Sequence, residues 1–461
     1  MSPHLSFFPF NRIAMPSSKP EGQQASCILK FVVVGGGITG LATAYSLRTA
    51  GHDVVVVEKR NLTQPTQGSI RCPPNMTRVL SRWPGMDSFL FNSASEVSGI
   101  TSLSFRIGET SETVGSMKFY HEIMEQLGAD FLVLQHNDLQ REILSLCIAS
   151  GVEMVCGTVV DVVVPEDAGD FSVNIVLEDG GIIHGNIAIG ADGHNSLLRS
   201  FVTAEESFAN DTRIVTGVDI AIPTKALLEH EHLASLCEEQ QFTIWMGSGS
   251  SITAVLDKSC EFMNLGICTP MPIENERPLA DGQDLNAISD DWSETSQLPI
   301  DISAYDPRLH AAIQLRTINP DGTVILVGDA AHSVLIHGSH NTSMGIEDAV
   351  TLGALFSHLQ NRKEIAVFLE TYEELRQNRV QAAGESEYQS LLMICLPPGP
   401  ERDGRDETLK LTKDREFEDF DNCDPESDVL VQTWEQYLML FNYDAKEAVD
   451  DWWSMWSFTM Q

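Results

Sequence analysis

The stretch KFVVVGGGITGLATAYSLRTAGHDVVVVEKR, residues 30–60, restricts the possible folds more than any other part of the chain. Phe31 to Val34 is an unbroken aromatic and β-branched run, the pattern of a strand covered on both faces. Gly35, Gly37 and Gly40 follow in G-x-G-x-x-G spacing, where the strand gives way to a helix. In such a motif the first glycine allows the tight turn, the second lets the backbone approach a pyrophosphate, and the third brings helix and strand together. Ile38 to Ala50 has apolar residues at helical spacing, and Gly51 suits a C-terminal stop. Val54 to Val57 reads as a second parallel strand ending in Glu58, eighteen residues past Gly40, where a carboxylate can accept from ribose hydroxyls. This unit is expected to hold an ADP moiety, and by itself it does not separate NAD from FAD.

At 461 residues the chain has room for two or three domains, and its 43% hydrophobic content is ordinary for a globular protein. Asp plus Glu number 66 against 29 Lys plus Arg, a net charge of −37. Such a surface repels nucleic acid and anionic lipid, so neither is expected as a partner. Nine cysteines lie without C-x-x-C or zinc-type spacing, which points to reduced thiols, no metal centre and a cytoplasmic enzyme. No apolar run approaches the length of a membrane-spanning helix. Residues 1–28 hold four prolines and Phe7, Phe8 and Phe10 but no continuous apolar core, and read as a flexible leader.

Further along, NDLQREILSLCIASG (137–151) is an amphipathic helix, VEMVCGTVVDVVV a strand pair, and residues 171–193 a hairpin turning at Asp179–Gly181 before another strand. Residues 201–300 alternate like a sheet and include an Asp-, Pro- and Asn-rich loop at 272–300. Helices follow residue 362, and the acidic segment 400–428 reads as a mobile loop. Trp452, Trp453 and Trp456 share one helical face and are expected to pack on the body of the protein.

Two distant motifs join the opening one: GADGHNSLLR (190–199) and VILVGDAAHSVLIHGSHNTSMGIEDAVTLGALF (324–356). With all three in order, the chain resembles the class A, single-component flavoprotein monooxygenases, the p-hydroxybenzoate and salicylate hydroxylase-like family. The resemblance implies an α/β fold: a Rossmann-type FAD-binding domain with a glutathione-reductase-like βαβ unit, an inserted β-sheet substrate domain and a helical C-terminal region. The expected division is leader 1–28; FAD-binding domain 29–98, 121–200 and 301–361; substrate sheet 99–120 and 201–300; and helical region 362–461. It implies non-covalent FAD, with NADPH or NADH as a transient reductant. Asp329 then resembles the family's GD aspartate on the ribityl chain, while Asp192, with Gly193, Ser196 and Arg199, resembles its DG motif. Arg71 falls on the flavin-contacting loop, Arg141 on the helix beneath the pyrophosphate, and His136 where many members carry Arg or Gln. Asn341 or Thr342 is expected to cap the helix running to about Leu359, whose positive end would face the flavin pyrimidine.

The chain departs from the family pattern at the oxygen-activating loop. Ile336 replaces a usual proline and is followed by HGSHNTSM, which offers His337 and His340 as candidate bases or substrate anchors. The reaction implied is insertion of one oxygen atom from O₂, by way of a flavin C4a-hydroperoxide, into a phenol or aryl acid. Epoxidation or oxidative rearrangement of a polyketide or terpenoid alkene is the alternative, and a non-oxygenating flavoprotein the more distant one. The expected partners are small molecules, in a monomer or homodimer.

Overall fold

The computed structural model describes residues 23–62, 64, 68–91, 99–165, 171–202, 213–238, 240–257, 259–270, 308–312, 317–332, 338–413, 415 and 429–459. His337, the 272–300 loop and most of the leader lie outside the described residues.

The β-branched runs assemble into a five-stranded parallel sheet in the order Val324–Leu326, Ile187–Gly190, Lys30–Val34, Asp53–Glu58, Glu153–Cys156. Phe31 stands beside Val54 on one side and Ile187 on the other. Phe31 and Val33 point into a core shared with the helices Ile38–Thr49, His136–Ser150 and Asn341–Ser357. Val32 and Val34 point the opposite way, into a core closed by a three-stranded antiparallel sheet through Val162, Val173 and Ile175. Both faces are covered, which is why the strand is apolar throughout instead of alternating. The helices Ile38–Thr49 and Asn341–Ser357 pack closely: a Cβ at Gly345 would stand 2.1 Å from the Thr39 hydroxyl.

A seven-stranded mixed sheet forms the second layer, in the order Arg308–Ala312, Arg213–Pro223, Phe262–Pro270, Ser251–Leu256, Gln241–Met246, Ser102–Ile107, Thr113–Lys118. It too is covered on both faces. Phe242, Ile244 and Val255 meet helices of the C-terminal region, while Trp245, Ile252 and Leu256 meet Leu227, Leu233 and Leu236. The helix Ile365–Ile394 joins the two layers: Phe368 and Tyr372 sit in the core of the parallel sheet, Val380 and Ala383 in that of the mixed sheet.

Several sequence expectations are corrected. The segment expected to be a mobile acidic loop begins instead with the helix Pro400–Lys410, held by a bidentate Arg402–Glu109 pair at 2.8 Å. Composition hid this because the two arginines that anchor it, Arg402 and Arg405, are buried among acidic neighbours. Glu153–Cys156 and Val159–Val163 are both strands but do not pair with each other; they join different sheets. Arg308–Ala312, assigned from sequence to the FAD-binding part, lies at the edge of the mixed sheet. Neither Asn341 nor Thr342 caps its helix; the cap position is His340, with no side-chain capping bond. The tryptophan stripe does pack inward, with Trp452, Trp453 and Trp456 at 6.0, 6.1 and 6.0 Å from the Phe368 ring.

Candidate cofactor and substrate site

Three loops that are remote in sequence meet at the carboxyl edge of the parallel sheet. The chain leaves Lys30–Val34 toward Asp53–Glu58 on one side, while Ile187–Gly190 flanks it on the other, so the edge is a topological switch point, where open α/β sheets bind ligands. Gly35 turns with φ 111°, and a Cβ there would lie 2.2 Å from the Ala191 carbonyl oxygen, so only glycine fits. Gly37 differs: a Cβ on it would meet nothing within 4 Å. It stands at the N-cap of Ile38–Thr49 without a side-chain cap, which leaves backbone N–H groups at the positive helix end. Glu58, 7% exposed, shapes this loop as well as facing it. Its Oε2 accepts from the Gly36 N–H at 2.6 Å and its Oε1 from the Arg60 N–H at 2.8 Å.

The neighbouring helix contributes Gln140, which donates to the Gly36 carbonyl at 2.8 Å, a contact the sequence did not announce. Arg141, expected beneath the pyrophosphate, is placed on the outer side, largely exposed and paired with Asp138 at 3.0 Å. His136 opens the same helix. Burial, with Arg60 adding, pushes its imidazole down to about 4, and its Nδ1 has no hydrogen-bond partner among the described residues.

Asp192 uses Oδ2 to accept from the Leu197 and Leu198 N–H groups at 2.7 and 3.2 Å, leaving Oδ1 buried and without a hydrogen-bond partner among the described residues. Arg199 ties this loop to the next one by donating to the carbonyls of His194, Asp329 and Ala330 at 2.8, 2.9 and 3.0 Å. The Asp329 side chain is exposed at the edge. Surrounding protein raises its carboxyl by desolvation against the pull of His332, His194 and Arg199, an effect its solvent-facing position limits.

Beneath this edge lies a buried charge network that the sequence reading missed. Asp348 accepts from the Gly328 N–H at 2.8 Å and pairs with His332 at 2.7 Å and Arg376 at 2.7 Å. Burial alone would raise the Asp348 carboxyl, but His332 and Arg376 hold it at about 2. Glu347 takes Arg376 at 2.7 Å, Arg379 at 3.0 Å and the Asn75 amide at 2.8 Å. The adjacent acids in SMGIEDAV were a visible signal, but their arginines lie nearly thirty residues downstream on another helix.

A second feature opens between the mixed sheet and the helices. A polar crevice of about 80 Å³ lies between Arg71, Asp219, Asn264, Gly338, Asn341 and Thr342. Arg71 and Gly338 also border a cavity of about 140 Å³ whose apolar wall includes Phe119, Phe242, Tyr437 and Phe441. The Arg71 guanidinium lies 4.3 Å over the Phe242 ring and donates to Thr253 at 3.1 Å. Burial lowers it to about 10, opposed by Asp219, Glu387 and Cys268. His340 lies in the same wall, 1% exposed, with Nδ1 2.9 Å from Glu387 Oε1. Glu387, Tyr437 and Phe441 come from the C-terminal helices, where no motif was readable.

The geometry and the comparisons agree. Residues 29–386 match the family described as FAD binding domain. The chain is 23% identical over 428 residues to the FAD-dependent monooxygenase OpS4 of Beauveria bassiana, covering 92% of this chain and 96% of that protein. It is 26% identical over 395 residues to the 3-amino-4-hydroxybenzoate 2-monooxygenase of Streptomyces cremeus, covering 84% and 93%. Among solved structures, a salicylate hydroxylase substrate complex superposes with TM-score 0.67 at 19% identity, covering 92% of this chain and 97% of that one. The chain therefore belongs to the FAD-binding-domain family, as a FAD-dependent monooxygenase of the single-component class.

Proposed function

We propose that this protein hydroxylates a small aromatic substrate with O₂, using NADPH or NADH as reductant. The cavity carries the reading. Its volume of about 140 Å³ is close to the ~150 Å³ of an apolar cavity that takes up benzene, and it is walled by aromatic rings. A polyketide or terpenoid alkene needs more room, so epoxidation of such a substrate is disfavoured. The Streptomyces cremeus relative, named for a hydroxybenzoate, supports the same substrate size.

The residues present fit FAD. Gly37 offers a backbone cradle that no protein atom fills, and Asp192 Oδ1 and His136 Nδ1 are buried polar atoms without partners near that edge. Gly35 to Gly40 would take the pyrophosphate, Glu58 the adenosine ribose and Asp329 the ribityl chain, with Arg71 and Thr342 at the crevice for the ring. When bound, FAD supplies the redox chemistry that passes electrons from the nicotinamide to oxygen. The protein's own part is positioning and shielding. The aromatic wall gives the cavity a largely apolar lining, and Arg71, fixed by Phe242 and Thr253, holds positive charge where crevice and cavity meet.

The test is direct. Purified protein is expected to carry about one FAD per chain, and small hydroxylated arenes are expected to stimulate NAD(P)H oxidation while polyenes do not. Gly37→Asp should lose FAD, because a charge and a side chain would enter the pyrophosphate cradle. Retention of stoichiometric FAD by that variant overturns the cofactor site, and stimulation by polyenes alone overturns the substrate class.

A further inference from the structure

We propose, building on the reading just given, that His340 and Glu387 form a proton-accepting dyad that selects an aromatic substrate by its ring hydroxyl. The arrangement fixes the tautomer. Glu387 Oε1 accepts from the His340 backbone N–H at 2.8 Å and stands 2.9 Å from His340 Nδ1. A carboxylate only accepts, so Nδ1 carries the proton and Nε2 is left with its lone pair. Phe441, stacked at 5.7 Å and 21°, holds the ring plane. Nε2 is buried, has no hydrogen-bond partner among the described residues, and belongs to a residue in the cavity wall.

A buried acceptor left unsatisfied is costly, and a ligand that donates to it recovers that cost. A substrate carboxylate would meet Nε2 acceptor to acceptor, whereas a ring hydroxyl donates. The other titratable groups in the wall are Arg71, Cys268 and Tyr437, with Asp219 behind Arg71; the remaining polar side chains, Ser251, Thr253, Ser339, Ser386 and Ser390, are hydroxyls too weakly basic to take a phenol proton. None of them is a neutral base: Arg71 is a cation, and burial raises both the Cys268 thiol and the Tyr437 phenol, the latter to about 12. In the proton step the substrate O–H bond breaks, Nε2 takes the proton, and the imidazolium so formed is compensated by Glu387. The electron pair left on oxygen enriches the ortho and para ring carbons, which are the positions an electrophilic oxygen attacks. His340 would be the catalytic residue, because its Nε2 takes the hydroxyl proton. Glu387 is a positioning residue that fixes the ring and raises its basicity.

The probe is 4-nitrophenol, whose anion absorbs apart from its neutral form, with 4-nitroanisole as the methyl ether control. Both are titrated into the FAD-loaded protein at a pH below the phenol's solution pKa. Wild type is expected to bind 4-nitrophenol with appearance of the phenolate band, and 4-nitroanisole about tenfold or more weakly, the cost of one lost hydrogen bond to a buried acceptor. His340→Asn should abolish the band while FAD content stays. Glu387→Gln, which keeps shape and acceptor but not charge, should bind the probe as the neutral phenol; it decides the matter if H340N loses FAD. A phenolate band that persists in both variants overturns the dyad. So does equal affinity for the two probes, or failure of FAD-loaded wild type to bind 4-nitrophenol. The band needs no turnover, so the dyad and the hydroxylase reading can fail separately.

Discussion

Glu347 and Asp348 within the helix Asn341–Ser357, and His340 at its N-terminal end with Glu387 from the helix Ile365–Ile394, are two sets of ionisable groups drawn into the interior, yet they are completed differently. All four carboxylate oxygens of Glu347 and Asp348 are bonded, to Arg376, Arg379, His332, Asn75 and the Gly328 N–H. His340 Nε2 and Glu387 Oε2 have no hydrogen-bond partner among the described residues. A network closed within the protein fixes backbone position: it clamps the Gly328–Asp329 turn to the helix Asn341–Ser357 and to the helix Ile365–Ile394. A network left open on a cavity is finished by something else. Buried charge alone therefore does not mark the reactive place, and incomplete bonding does so only beside a cavity: His332 Nδ1 and Asn75 Oδ1, at the margin of the closed carboxylates, are also buried without partners among the described residues but line neither the cavity nor the crevice.

The largest effect expected from breaking this comparison is on the closed network. Arg376→Ala leaves Glu347 with Arg379 and Asp348 with His332 but removes the cation that bridges the two buried carboxylates, and should cost about 3–5 kcal/mol of stability, read by urea unfolding of the FAD-loaded protein. A loss below about 1 kcal/mol would mean that the network relaxes and the contrast is false. A smaller effect appears on acidification. Asp348 titrates at about 2, below the ~4 of an unfolded aspartate, so its stabilisation is complete above that unfolded value and is lost as pH falls toward 2. The loss should be on the order of 2 kcal/mol, followed as the unfolding midpoint against pH, and Arg376→Ala should flatten that slope. The smallest change is expected at the open site. Glu387→Gln keeps an oxygen able to accept both His340 bonds and should shift stability by less than about 1 kcal/mol in the same urea experiment. Destabilisation comparable to Arg376→Ala would place the dyad with the structural network.

The cradle and the cavity were unequally legible. Gly35, Gly37, Gly40 and Glu58 lie within one strand–helix–strand unit, so local spacing carried their geometry. The tryptophan stripe at 452–456 was legible for the same reason, since periodicity within one helix settles which face is buried. The Glu58 contacts to Gly36 and Arg60 were not foreseen, because the sequence marks an acid at a strand end but not which N–H groups turn toward it. Arg141 and Gln140 show the limit of one-residue resolution: neighbours on a helix point about 100° apart, and the inward one is the glutamine.

By itself the sequence determined the parallel βαβ unit and the order of the three edge motifs, because each depends on backbone conformation encoded by neighbouring residues, while FAD as the cofactor followed from the family that the three motifs together resemble. Only the tertiary structure decided the rest. It brought Arg71, His340, Glu387 and Phe441 to one cavity from four separate elements, closed the Glu347–Asp348 network with arginines from a different helix, and set the cavity at about 140 Å³. Those are long-range packing outcomes, fixed by how two layers and the helix between them fit together, and no local pattern in the chain encodes them.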